Sequence, residues 1–155
     1  GTLIMNGKPD SIITITSVKD DAVGNPFDTN KDGNGSTPAR NDLGPIFITQ
    51  TGGGSSISHA HLKYMGGGYY FSYYNFNNES IRRDAAVVIY NASPSIRRTV
   101  IENAEFGVFA YRSSNPLVDS VSFINLSRAP VAFSMSANPT LTNITLTNVG
   151  WRALG

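Results

Sequence analysis

The sequence predicts an all-β chain wound as a right-handed parallel β-helix, a solenoid of about five to six rungs with two loop insertions. Three observations predict it. A unit of 22 to 23 residues recurs through the second half, apolar residues alternate at fixed offsets inside each unit, and no run favours helix. Gly, Asn, Ser and Thr are abundant instead, which suits many short strands joined by polar turns.

The repeat is clearest where Pro94, Pro116 and Pro139 each open a unit that closes on Asn103, Asn125 or Asn148. Two residues past the proline stand Ile96, Val118 and Leu141. Five past it stand Thr99, Val121 and Ile144, and seven past it Ile101, Phe123 and Leu146. The step of two between the last pair is strand periodicity, with the intervening residue facing water. A further strand precedes each proline, with Ala86 and Val88, Val108 and Ala110, and Val131 and Phe133 as the expected inward pairs. Strands this short cannot form a stack of hairpins in matching register. They can coil, each repeat pairing in parallel with the next. Asn103, Asn125 and Asn148 then stack at one turn as a ladder whose side-chain amides bond along the stack. Residues 85–150 form the regular rungs of one domain that covers 1–155.

The first half continues the coil less regularly. Ile57, Ala60 and Leu62 match offsets two, five and seven, with Ser55 in the proline position and Tyr64 in that of the asparagine. Ile46 and Ile48 supply the strand before, and Ile13 and Ile15 an earlier rung. Insertions interrupt this half at about 18–42 and about 66–84. In a solenoid they must leave at turns, where function is often carried.

The first insertion is acidic. Asp28, Asn30 and Asp32 fall at i, i+2 and i+4 ahead of Gly33. That spacing is the first half of an EF-hand-type loop, in which alternate oxygens converge and glycine permits the sharp turn. Hard oxygen donors suit Ca²⁺, here in a structural role. Position twelve is Ala39, so the usual bidentate Glu is missing. The expected ligand set is Asp28, Asn30, Asp32 and Asn34, with Asp20, Asp21 or Asp42 closing the shell from outside the short motif. The plainer alternative is an Asn/Asp/Gly-rich turn without metal.

Ile13 to Asp21, Asp28-Thr29-Asn30-Lys31-Asp32-Gly33, Ser36-Thr37-Pro38-Ala39 and Asp42 to Ile46 together resemble a segment of large secreted bacterial and archaeal right-handed β-helix surface proteins. Leu62-Lys63-Tyr64-Met65-Gly66-Gly67 answers to the strand that follows it there. The chain departs from that pattern at Leu43, Pro45 and Ser11-Ile12. The resemblance implies the coiled fold, export to the cell surface or medium, and calcium. Members of that family mostly have no established activity, so it implies little about function.

The second insertion carries six aromatics in eight residues, Tyr69, Tyr70, Phe71, Tyr73, Tyr74 and Phe76. They cannot all fit inside a narrow coil. They either pack over one side of it or stand exposed as a platform for sugar rings or a partner chain, another copy included. His59 and His61 flank the inward Ala60 and should face outward; no third zinc ligand accompanies them. Five sequons stand at Asn34, Asn78, Asn91, Asn125 and Asn143; an exported chain can carry glycans at some of them, though not at Asn125 within the ladder, and chance alone accounts for them in so polar a chain.

Charge excludes some classes. The net charge is +1 with 15% charged residues, so nothing draws the chain to nucleic acid or into a membrane. Arg82, Arg83, Arg97 and Arg98 read as a solvated face beside Asp84, Glu102 and Asp119. Without cysteine there are no disulfides or thiolate metal sites. A polysaccharide lyase or hydrolase on this fold needs acidic pairs or a cationic base on one strand face. The outward positions of the regular rungs are mostly Ser, Thr, Asn and Arg. The expectation is therefore a non-catalytic, extracellular structural or adhesive segment stabilised by calcium, meeting flanking rungs or further copies end to end. The alternative is a carbohydrate-binding or carbohydrate-cleaving β-helix that uses the aromatic insertion.

Overall fold

The computed structural model describes residues 1–67, 73–76 and 78–150. The chain is all-β, its only described helix a short 3-10 turn at Gln50–Gly52. The strands in order are β1 (Ile4–Asn6), β2 (Ile13–Ile15), β3 (Ile46–Ile48), β4 (Ser56–Ser58) and β5 (Ala60–Lys63). Then come β6 (Tyr73–Phe76), β7 (Glu79–Arg82), β8 (Ala85–Tyr90), β9 (Ser95–Arg97), β10 (Val100–Glu102) and β11 (Phe106–Tyr111). The remaining strands are β12 (Leu117–Asp119), β13 (Ser122–Leu126), β14 (Val131–Phe133), β15 (Thr140–Thr142) and β16 (Thr145–Val149).

Three parallel sheets take all but two of these. The first runs β1-β4-β9-β12-β15, the second β2-β5-β10-β13-β16, and the third β3-β8-β11-β14. Apart from the antiparallel β6–β7 hairpin, consecutive strands visit the first, second and third sheet in unbroken rotation. Strands that neighbour one another within a sheet are therefore a whole repeat apart in sequence.

Register carries the sequence repeat into space. Met5, Ile57, Ile96, Val118 and Leu141 form one column of the first sheet. Ile15, Leu62, Ile101, Phe123 and Leu146 form the matching column of the second. The middle members of both columns are fully buried, each worth roughly 1.5–3 kcal/mol of transfer free energy. Phe123 is the largest side chain wholly enclosed among the described residues. It fits because Gly107 faces it: a Cβ on Gly107 would lie 2.3 Å from Phe123 Cε1.

One expected pair is corrected. Ala86 is inward, but Val88 is not; Val87 and Ile89 pair with Val108 and Ala110 and join the main core. Val88 and Tyr90 face the other way, into a second cluster with Ile81 and Ala85 against Phe47, Phe76, Phe106, Phe109 and Tyr111. Because β8 is buried on both faces, alternation in the sequence could not say which set was inward, and a one-residue error inverts the faces. Phe133 does align with Ala110, yet it is 39% exposed because β14 is an edge strand.

The corners use left-handed residues. Between the first and second sheets, His59, Arg98, Ser120 and Asn143 all have φ of 46–56°. After the inward residues of the second sheet, Tyr64, Asn103, Asn125 and Asn148 have φ of 50–60°. Asparagine visits this region more readily than other non-glycine residues, which explains the recurrent Asn. Corner N–H groups bond to the next repeat: His59 N donates to Arg97 O, Arg98 N to Asp119 O, Ser120 N to Thr142 O and Asn103 N to Ile124 O.

Candidate metal centre and surrounding surfaces

The acidic insertion is built from tight turns. Asp28 and Lys31 have φ near +60°, and Gly33 has φ of +64° with nothing near its Cβ position. Backbone conformation alone thus calls for glycine there. Asp28 accepts Asp32 N through Oδ1 at 3.0 Å and Gly33 N through Oδ2 at 3.1 Å, which folds the loop around its carboxylate. Ser36 Oγ donates to Asp32 Oδ2 at 2.6 Å, and Asn30 Nδ2 to Ser36 Oγ at 3.0 Å.

These turns bring Asp21, Asp28 and Asp32 together, with one carboxylate oxygen of each within 4.8 Å of the others. Burial, then the charges of Asp28, Asp32 and Asp20, raise the Asp21 carboxyl above its ordinary value. Asp21 Oδ1 and Asn30 Oδ1 are enclosed without a hydrogen-bond donor. Carboxylate oxygens keep spare lone pairs after one hydrogen bond, so Asp28 and Asp32 can still coordinate. The donor set fits a hard cation, and Asp21, Asp28 and Asp32 are the residues that would hold it, with Asn30 Oδ1 a further oxygen of the same loop without a donor.

The other expected ligands have different partners. Asp20 accepts Lys63 Nζ and Thr16 Oγ1, both at 2.6 Å. Burial opposes its charge, but the bonds from Lys63 and Thr16 outweigh it and lower the carboxyl. Asp42 accepts Ser17 Oγ at 2.8 Å, Lys19 Nζ at 3.0 Å and Ala39 N at 3.0 Å, and is lowered against the same burial penalty. Asn34 is exposed. Asp20 and Asp42 therefore pin the two ends of the loop. Further along, Asn41 Nδ2 donates to Glu105 Oε1 at 2.8 Å and Arg40 Nη2 to Asn125 O at 2.9 Å. The insertion is strapped across several repeats.

Sequence reasoning missed Lys63 and Glu105 as the anchors. Both are ordinary surface residues by pattern, and only register shows what they face. Of five ion pairs and one histidine–carboxylate contact among the described residues, none includes Asp21, Asp28 or Asp32. They join Lys19–Asp42, His61–Glu102, Lys63–Asp20, Arg82–Asp84, Arg112–Glu79 and Arg128–Glu105. His61 does lie on the outer face of β5, bonded to Glu102 at 2.7 Å; His59 is a corner residue. Asp119 accepts Thr142 Oγ1 at 2.8 Å and Asn143 Nδ2 at 2.9 Å; these bonds lower its carboxyl, with Arg97 a lesser contributor.

The asparagine ladder forms at one step. Asn148 Nδ2 donates to Asn125 Oδ1 at 2.7 Å, whereas Asn103 Nδ2 turns to Glu102 Oε1 at 3.3 Å. In the aromatic insertion, Tyr69, Tyr70 and Phe71 lie outside the described residues. Tyr73 and Tyr74 belong to β6, and Phe76 packs edge-on against Phe47 and Tyr90 at 5.4 and 5.1 Å between centroids. The hairpin thus covers the outer face of the third sheet. Beside it opens a groove of about 660 Å³ lined by Glu79, Ser80, Tyr111, Arg112, Ser134, Met135 and Ser136. Comparison of the chain with protein-family models, curated proteins and solved structures finds no match.

Proposed function

We propose that the chain is a calcium-stabilised, non-catalytic segment of a right-handed parallel β-helix in an extracellular or cell-surface protein, acting as scaffold or adhesive surface. The strict rotation of strands among three parallel sheets supports a coil, and a β-crossover-β connection is right-handed in about 98% of proteins. The observation that carries the reading is the contrast in charge compensation. Among the described residues six acidic side chains are paired with bases, while the three that converge have no base among those pairs. A cation supplies the missing counter-charge, and Ca²⁺ suits oxygen donors in a flexible loop.

Calcium binding is tested by titration calorimetry of the chain and of Asp28→Asn. The reading expects one saturable site whose affinity drops at least tenfold in the variant; no heat with the parent chain would refute it. A carbohydrate-binding role is supported by the groove beside the hairpin, where a carboxylate, a guanidinium and three serines stand near Tyr111. A glycan array, followed by product analysis of any hit, separates the readings. Binding without products marks a lectin-like module, products mark an enzyme, and neither leaves the scaffold.

A further inference from the structure

The groove beside the hairpin is held open by the fold itself. Three walls meet in it: β7 through Glu79 and Ser80, the corner after β11 through Tyr111 and Arg112, and the corner after β14 through Ser134 and Ser136. Each wall is tied to the next. Arg82 N of β7 donates to Tyr111 Oη at 2.9 Å, Arg112 N donates to Ser134 Oγ at 2.8 Å, and Arg112 Nη2 donates to Glu79 Oε1. Tyr111 is fixed by stacking on Phe109, with centroids 4.5 Å apart and rings 11° from parallel. The volume of about 660 Å³ lies within the range of roughly 300–1,000 Å³ found for ligand pockets. Walls joined in this way are preformed, which lowers the ordering cost of binding.

Charge decides what fits. The guanidinium and the carboxylate that line the groove are bonded to each other, and their side chains stay 57% and 29% exposed. One bond between them leaves most of the guanidinium's N–H donors and of the carboxylate's lone pairs open to a ligand. The pair is neutral as a unit, so an anionic ligand meets Glu79 as well as Arg112, and a cationic one the reverse. An apolar ligand would strip water from both charges and return no hydrogen bonds. A hydroxyl both donates and accepts, so adjacent hydroxyls can accept from Arg112 and donate to Glu79 at once. Ser80, Ser134 and Ser136 offer further partners of the same kind, and Tyr111 and Met135 supply apolar surface for the C–H face of a ring. Hydroxyls at the rim, C–H groups on the face and no net charge describe a neutral sugar. We propose, on the carbohydrate-binding reading, that this groove takes a short neutral oligosaccharide, with adjacent hydroxyls bridging Glu79 and Arg112, and that it refuses uronate, sulfated and amino sugars.

An array of neutral, uronate, sulfated and amino-sugar oligosaccharides, probed with the whole 155-residue chain, tests it. Neutral glycans should bind and the charged ones should not. Titration calorimetry with the best neutral hit should show Glu79→Gln and Arg112→Met each weaker by about tenfold or more, the loss of one charge-assisted hydrogen bond. Circular dichroism melting checks that both variants fold. If either does not, hydrogen exchange of the parent chain gives a second route that needs no substitution. The neutral hit should then slow exchange across 79–82, 111–114 and 134–137 and leave other peptides unchanged. The outcomes keep the two readings apart. No bound glycan of any class overturns both. Hits confined to charged glycans, parent-like affinity in either folded variant, or protection away from the groove overturn the neutral-sugar site alone.

Discussion

The regular repeats of 85–150 and the interrupted region of 1–84 share one set of sheets but are held by different forces. In the regular part, inward columns of Ile, Val, Leu and Phe close an apolar core, and the corner N–H groups of Arg98, Asn103 and Ser120 find carbonyls one repeat away. In the interrupted part the acidic insertion lies outside that core and is fastened by charge, through Asp20 to Lys63, Asp42 to Lys19 and Asn41 to Glu105. The first is stabilised by apolar burial, which is non-directional and does not involve a titrating group. The second depends on ionisation of the paired side chains. One chain therefore carries a robust body and a conditional loop.

The largest expected effect breaks the body. Phe123→Ala should cost about 3–5 kcal/mol, because the ring is fully enclosed and Gly107 leaves nothing to refill its space. Urea denaturation at neutral pH would show it, and calcium should not restore the loss.

Next is the fastening of the loop. The Lys63–Asp20 pair is nearly enclosed, with side chains 13% and 5% exposed. Lys63→Met strands a buried carboxylate and should cost roughly 3 kcal/mol. The pH dependence follows from the same pair. Asp20 is lowered below 3.8, so its contribution is present above that value and lost as pH falls through the depressed one. Lys63 is raised above 10.5, because the bond to Asp20 outweighs burial; its contribution is present below that value and lost as pH rises through the raised one. Thermal melts from pH 2 to 12 should show a plateau between these limits in the parent chain, and a shallower acid limb in Lys63→Met.

The smallest effect sharpens the account of the corners. Arg98 holds φ of +46°, a conformation that costs a non-glycine residue of order 1 kcal/mol. Arg98→Gly should therefore be neutral or stabilising by about 1 kcal/mol, although it removes a long side chain. A lower melting temperature would show that the arginine stem contributes packing that its exposure hides.

The repeat made most of the second half legible. Proline, alternation and terminal asparagine each reflect a local requirement, and local requirements leave marks in sequence. Offsets two and seven predicted the columns through Ile96 and Ile101, and extending them to Ile57 and Leu62 located two strands of the irregular half. The acidic motif likewise named Asp28 and Asp32, whose turn chemistry is local. Long-range partners were not legible. Nothing near Lys63 says it meets Asp20, and nothing near Asp42 says that Ser17 and Lys19 occupy it. Strand β8 failed for another reason: the hairpin covers its outer face, so both faces are apolar and the period-two signal vanishes.

Hydrogen exchange with and without calcium, followed by mass spectrometry, tests the division between body and loop most directly. Calcium should slow exchange at least tenfold across 20–36 and leave peptides within 85–150 unchanged. Equal slowing in both regions, or none in the loop, would contradict a cation held by Asp21, Asp28 and Asp32 on a scaffold that is stable without it.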